Sequence, residues 1–249
     1  MKDTESTSYS LELINVHKTY KSYYSRGGPN RGPSIFTRKK RKVKVLSNIN
    51  IAISKGENIG IIGSNGSGKS TLMNIMMGSI NPDKGGIVRT QGKMIKLALG
   101  LGIDKNLSAR DNIYINSSLL GLTFKEIGEL FDSIIDFAGI QDFIDMPVKF
   151  YSKGMRQRLL FSIAMNANAD VYLLDEFFGG VGDKEFRRKS NIAFKKKILE
   201  GNTTIIISHS MSIINNYCDR VLWIEKGVIR EYGEVNRIVD LYVKFMDSL

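Results

Sequence analysis

Residues 63 to 71 read Gly63-Ser64-Asn65-Gly66-Ser67-Gly68-Lys69-Ser70-Thr71. The run matches G-x-x-x-x-G-K-[ST], a loop whose residue types suit a triphosphate. A β- and γ-phosphate pair is a compact, multiply charged anion. It is held best by backbone N–H groups that converge on one concavity, at a helix N-terminus whose dipole end is positive. Gly63, Gly66 and Gly68 let the backbone curl inward without Cβ clashes. Lys69 sets a cation beside the outer phosphates, and the Ser70 hydroxyl is a ligand for Mg²⁺. Ser64, Asn65, Ser67 and Thr71 complete the run as nucleotide-binding positions. The loop implies a nucleoside triphosphate and says nothing of what its energy drives.

A second group follows about a hundred residues later, a spacing read off the sequence. Val171-Tyr172-Leu173-Leu174 leads into Asp175-Glu176. A buried strand that ends in carboxylates holds them rigidly beside the phosphates. Asp175 then binds Mg²⁺, directly or through water, and Glu176 polarises the attacking water. Taken alone, an acidic strand end is an ordinary cap. Placed after a phosphate loop, it reads as catalytic.

These groups need strands and helices to position them. Asn58 to Ile62 reads as a buried strand entering the loop, and Leu72, Ile75 and Met76 mark the apolar face of a helix leaving it. Leu11 to Val16 alternates as a first strand, and Val43 to Ile53 resumes as a strand or strand pair. Residues 81 to 86 form a turn cluster, with strands expected at 87 to 89 and 94 to 97. From Ala109 to Phe150 the period turns helical. Ile113, Leu119 and Leu120 belong to one helix, and Ile127, Leu130, Phe131, Ile134 and Ile135 to the next. This predicts a helical subdomain inserted into a strand-rich core. A basic helix is expected over 184 to 199, a strand over 203 to 207, a hairpin around Lys226-Gly227, and a last helix over 236 to 246.

The chain has 249 residues, of which 42% are hydrophobic, enough for a sizeable core. One cysteine, Cys218, excludes an internal disulfide and a cysteine-based metal site, and two histidines make a histidine-rich centre an unsuitable reading. The polar start is no signal peptide. No run approaches the roughly 20 apolar residues that span a bilayer, so a soluble chain is expected. The net charge is +11. Between Lys18 and Lys44 stand ten basic residues and no acidic one, so the remainder is nearly neutral. A patch this local suits nucleic acid or an anionic membrane surface, with a merely solvated loop as the bland alternative. Gly27, Gly28, Pro29, Gly32 and Pro33 forbid a long helix there. Ile35 and Phe36 followed by Arg38 to Lys42 predict a short amphipathic turn on a membrane.

Tyr151-Ser152-Lys153-Gly154-Met155-Arg156-Gln157-Arg158-Leu159, just upstream of the carboxylate strand, resembles the L-S-G-G-Q signature of ATP-binding-cassette ATPases. The resemblance runs from about Leu11 to Tyr242. It implies an α/β fold: a P-loop NTPase core with a mixed sheet and an antiparallel β subdomain, plus an inserted helical subdomain. One nucleotide-binding domain would fill residues 1 to 249. The core would take about 10–108 and 168–249, with a basic insert at 21–42, and the signature subdomain 109–167. The resemblance further implies that Tyr20 stacks on adenine and that His209 contacts the γ-phosphate. Ser152, Lys153, Gly154 and Met155 would touch the ATP held by a second subunit, and Asp183 would meet that subunit. Lys69, Glu176 and His209 are then the catalytic set, and Ser70 and Asp175 the Mg²⁺ ligands.

The segment 146–155, the run Gly180-Val181-Gly182-Asp183 and the run 107–113 are more narrowly similar to ATPase subunits of bacterial polysaccharide exporters. Those handle O-antigen, capsule or teichoic acid. Membership implies ATP and Mg²⁺ as cofactors, a homodimer, and an integral-membrane permease in two copies. It implies a peripheral position on the cytoplasmic face of the membrane, with the basic insert near anionic inner-leaflet lipid and no nucleic acid. The competing expectation is a cassette ATPase acting on nucleic acid in repair or translation. The chain departs from the general pattern at Lys153, where the family has Gly, and at Met155, where it has Gln. No glutamine stands between Leu97 and Asn106. A chain ending at Leu249 is expected to lack a carbohydrate-binding domain.

Overall fold

In a computed structural model the structure describes residues 9–25, 38–97, 102–175 and 183–248. Two sheets carry the core. Strands β1 (Tyr9–Ser25), β2 (Arg38–Ser54) and β4 (Ile87–Thr90) form an antiparallel sheet in the order β2-β1-β4. Strands β3 (Asn58–Ile62), β5 (Met94–Leu97), β6 (Val171–Asp175), β7 (Thr203–Ile207), β8 (Arg220–Glu225) and β9 (Val228–Glu234) form the second sheet, ordered β5-β6-β7-β3-β8-β9. It is parallel up to β8, and only β9 runs antiparallel. The sheet is therefore mixed.

The inner parallel strands β3, β6 and β7 are buried on both faces, which is why they read as mainly apolar runs. Side-chain alternation splits each between two cores. Ile59, Ile61, Leu173, Ile205 and Ile207 face the antiparallel sheet and helix α1 (Lys69–Met76), packing with Leu13, Ile51 and Leu72. Leu174, Ile206 and Trp223 face the other way. They pack on α4 (Lys153–Ala164), α5 (Lys184–Phe194) and α7 (Val235–Asp247) through Phe161, Phe186, Phe194 and Ile238. Burying one such side chain stabilises the fold by about 1.5–3 kcal/mol.

A third core binds α2 (Ala109–Leu119), α3 (Phe124–Ala138) and α4 through Ile113, Ile127, Ile134 and Leu159. The sequence starts α2 and α3 with capping boxes, Ser108 with Asp111 and Thr123 with Glu126. Gly139, at φ +64°, stops α3.

Four elements differ from the sequence reading. Arg38 to Lys42 form no amphipathic turn: they begin β2, paired with Lys21 to Ser25 of β1. Mutual pairing satisfies the facing backbone groups of both segments. Ile35 and Phe36 lie outside the described residues. Leu119 lies in the expected helix, at 72% exposed, but Leu120 is the C-cap that follows it. The basic helix continues past Phe194 as a π turn, Lys195–Leu199. A further helix, α6 (Met211–Tyr217), packs Ile214 over Gly60, where a Cβ would meet Ile214 Cδ1 at 2.9 Å. Its Met211, Ile214 and Tyr217 were the periodic signal in the sequence.

Candidate nucleotide site

Strand order gathers the chemistry. β6, β7 and β3 are adjacent and parallel, with Asp175 beside Ile207 and Ile61 beside Ile207 in register. Their C-terminal ends are therefore level. Asp175, Ser208-His209 and the loop from Gly63 all emerge at one edge, where open α/β sheets take their ligands.

The loop is built on positive φ at Gly63 (+152°), Gly66 (+77°) and Gly68 (+110°). At Gly63 a Cβ would stand 2.0 Å from the Ile224 carbonyl oxygen, and at Gly68 one would meet Leu46 Cδ2 at 2.8 Å. The loop thus rests on β8 and β2, and only Gly66 has open space above it. α1 begins at Lys69 directly after Gly68, so its first-turn N–H groups have no intrahelical acceptor. Lys69 Nζ donates to the carbonyls of Gly63 (2.7 Å) and Ser64 (2.9 Å), which folds the ammonium over the loop. Asn65, Gly66 and Ser70 are exposed, and Thr71 is half-buried. Ser67 Oγ is buried with no hydrogen-bond partner among the described residues.

These features fit a polyphosphate, which offers acceptors to orphan donors. The Ser70 hydroxyl and the Asp175 carboxylate are hard oxygen donors of the kind Mg²⁺ takes.

Three supports escaped the sequence reading. Glu225, at the end of β8 and 7% exposed, accepts from Ser64 Oγ at 2.6 Å and from the Ser64 N–H at 3.3 Å. Burial pushes its carboxyl up, but the two Ser64 hydrogen bonds, chief among several opposing contacts, hold it below the ordinary value of 4.5. Gly227 N donates to Ser67 O (2.9 Å) while Gly227 O accepts from Ser47 N (2.8 Å). Lys96 of β5 reaches Asp175 Oδ2 at 3.1 Å. Lys96 gave a sequence signal as a charge inside the apolar run Met94–Leu97, and Gly227 gave one only as a hairpin turn.

Glu176 lies outside the described residues, as do Gly180, Val181 and Gly182. His209 is exposed just beyond β7. Tyr20 is exposed in β1, opposite Val43, with Lys18 Nζ 5.6 Å from its ring centroid. It lies two residues beyond Lys18, whose register partner Leu46 packs on Gly68. His17 ties β1 to β2: it bonds Asn15 Oδ1 (2.7 Å) and accepts from Asn48 N (3.0 Å).

The signature residues stand at the start of α4, away from the phosphate loop in sequence and in a different core. Ser152 is the N-cap, its Oγ accepting from Met155 N at 3.1 Å. Ser152 and Lys153 are exposed, while Gly154 and Met155 are half-buried. Asp183 is also a cap: it accepts from Phe186 N (2.9 Å) and stands 3.5 Å from Arg158 of α4. The bond to the Phe186 N–H, chief among several, holds its carboxyl below the ordinary range. A cleft of about 350 Å³ separates β5 from α2 and α4. Among the described residues no helix is long and apolar enough to cross a membrane, and no three His, Cys, Asp or Glu side chains cluster as metal ligands.

A model of the ABC transporter family matches residues 46–179. The O-antigen export system ATP-binding protein RfbB of Klebsiella pneumoniae is 37% identical over 95% of this chain and 98% of its own length. The teichoic acids export ATP-binding protein TagH of Bacillus cereus is 38% identical over 96% of this chain. The chain spans 43% of that TagH and 66% of the one from Levilactobacillus brevis. Among solved structures, the dimeric ATP-binding cassette MJ0796 with ADP and Pi bound shares the fold at TM-score 0.66 and 20% identity, covering 90% of this chain and 98% of that one. An ATP-binding subunit of an ABC transporter does so at TM-score 0.70 and 18% identity, over 93% and 92%. With its phosphate loop, helical subdomain and carboxylate strand in that order, the chain belongs to the ABC transporter family as one of its ATP-binding cassettes.

Proposed function

We propose that the chain is the ATP-hydrolysing subunit of an exporter that moves a lipid-linked polysaccharide of O-antigen, capsule or teichoic-acid type across the cytoplasmic membrane. The observation that carries this reading is the relationship to RfbB, which extends over nearly the whole of both chains. The relatives named above are exporter subunits, and none acts on nucleic acid by its name.

Each residue then has a task. The loop from Gly63 to Thr71 binds the phosphates through its N–H groups, and Tyr20 stacks on the adenine. Lys69 exchanges its loop carbonyls for phosphate oxygens. Ser70 and Asp175 would hold Mg²⁺, which would supply neutralising charge at the β- and γ-phosphates. Glu176 accepts the proton of the attacking water, and His209 donates to the γ-phosphate. Ser152 to Met155 close over ATP held by a second copy, and Asp183 joins the two copies, so two ATP molecules sit between two chains. Hydrolysis removes that bridge, and the opening drives a membrane-spanning permease. The cassette works as a peripheral subunit on the cytoplasmic face, its basic hairpin turned toward anionic lipid.

The test is a pull-down of the tagged chain from detergent-solubilised native membranes, with and without nuclease. A stoichiometric integral membrane protein, unaffected by nuclease, is the expected result. Recovery of nucleic acid or ribosomes without a membrane partner overturns the reading. Glu176→Gln should retain ATP, nearly abolish turnover and trap the dimer, and normal hydrolysis by this variant would remove Glu176 from its role.

A further inference from the structure

The short strand β5 carries one charge, Lys96, opposite Leu173 of β6. Asp175 lies two residues farther along β6, so the two side chains share a face of the sheet. The Lys96 ammonium stands 3.1 Å from Asp175 Oδ2, with the two side chains 27% and 32% exposed. Asp175 is the carboxylate to which the reading above gives Mg²⁺. A divalent cation on that carboxylate would lie within a few ångströms of the ammonium, where like charges at partly buried positions repel. The same lysine also lines the cleft between β5 and the helical subdomain, so its flexible stem has a second place to lie. No glutamine stands between Leu97 and Asn106. Lys96 is the side chain that this end of β5 presents to Asp175.

We propose that Lys96 is a positioning residue, an internal counter-ion that holds Asp175 in the metal-free cassette and that Mg²⁺ must displace. Lys96 thereby sets the metal concentration at which the site fills. On displacement its ammonium turns to the cleft, so whatever occupies the cleft alters the exchange. The inference rests on the assignment of Asp175 as a metal ligand, which Asp175→Asn tests separately.

The experiment uses the full chain with Lys96→Met and Lys96→Gln, both near the lysine in length. Mn²⁺ binding is followed by electron paramagnetic resonance with a non-hydrolysable ATP analogue present, and analogue binding is measured again in EDTA. Both variants should bind Mn²⁺ about two- to fivefold more tightly, the factor expected for an ion pair of this exposure. Analogue affinity in EDTA should hold. Unchanged Mn²⁺ affinity shows that the ion pair does not compete with metal and overturns the proposal. Weaker affinity overturns it in the other direction, making Lys96 a support for the metal-binding carboxylate. If Asp175→Asn leaves Mn²⁺ binding intact with Lys96 present, the metal assignment fails instead. Should the methionine variant not fold, the glutamine variant decides alone.

Discussion

Glu225→Gln isolates a buried charge that braces the phosphate loop without touching its glycines. Glu225 is 7% exposed and takes both the Ser64 hydroxyl at 2.6 Å and the Ser64 N–H at 3.3 Å. Hydrogen bonds to an ionised group are worth about 1.5–3 kcal/mol, against about 1 for neutral pairs. Glutamine keeps one oxygen for the hydroxyl but turns an NH₂ toward the Ser64 N–H, so donor meets donor. The net loss should be about 1–2 kcal/mol. For a chain of this size that lowers the unfolding midpoint by about 2–8 °C. The carboxyl of the folded protein sits below its ordinary value of 4.5. Its stabilising effect is therefore fully present above the unfolded value and lost as pH falls through the folded one. Thermal and urea unfolding of both proteins between about pH 4 and 7, around the carboxylate range, should show a gap at neutrality that closes on acidification. A glutamine variant as stable as the parent at neutral pH, or a gap that widens in acid, would refute the reasoning.

Gly63→Ala places a Cβ at 2.0 Å from Ile224 O at φ +152°. It should destabilise by about 2–3 kcal/mol and lose ATP binding in equilibrium dialysis, and retained ATP binding would mean the loop can rebuild around a side chain. Ser152→Ala removes the cap of α4 at a cost of about 1 kcal/mol, while ATPase activity should fall further than the slight loss of folded protein that this cost produces. A decline no larger than that leaves Ser152 a cap alone. Replacing Arg41, Lys42 and Lys44 by serine should weaken binding to anionic vesicles and flatten its salt dependence while leaving ATP affinity unchanged. Since Lys42 lies opposite Lys21, stability should hold or rise slightly. Collapse of nucleotide affinity in this variant would mean the hairpin belongs to the ATP site.

The parts legible in the sequence are those whose local chemistry fixes their structure. Gly63, Gly66 and Gly68 must take positive φ for the backbone to curl, and all three do. Val171 to Leu174 and Ile205 to Ile207 are strand segments buried on both faces, which leaves short apolar runs as their trace. The parts that were not legible depend on partners distant in the chain. Glu225 matters because β8 lies beside β3, which puts it against Ser64, 161 residues away. Arg38 to Lys42 carry no apolar alternation, and only pairing with Lys21 to Ser25 makes them a strand. Lys96 was visible as an anomaly, but its partner could be named only once β5 and β6 were known to be neighbours.

The basic hairpin and the phosphate loop were read as separate features, one for a surface and one for ATP. Two peptide hydrogen bonds make them continuous. Ser47 of β2 donates to the Gly227 carbonyl, and the Gly227 N–H donates to the carbonyl of Ser67 within the loop. Gly227 is held at φ +78°, where a Cβ would stand 2.2 Å from the Val45 carbonyl oxygen, so no other residue type fits that crossing. One residue before Ser47, Leu46 packs where the Cβ of Gly68 would be. The strand that carries Arg38 to Lys44 outward is therefore, at its inner end, the floor on which the triphosphate loop rests. A partner that gripped the hairpin would hold one end of a strand whose other end sets the loop's shape, with only close-packed backbone between them.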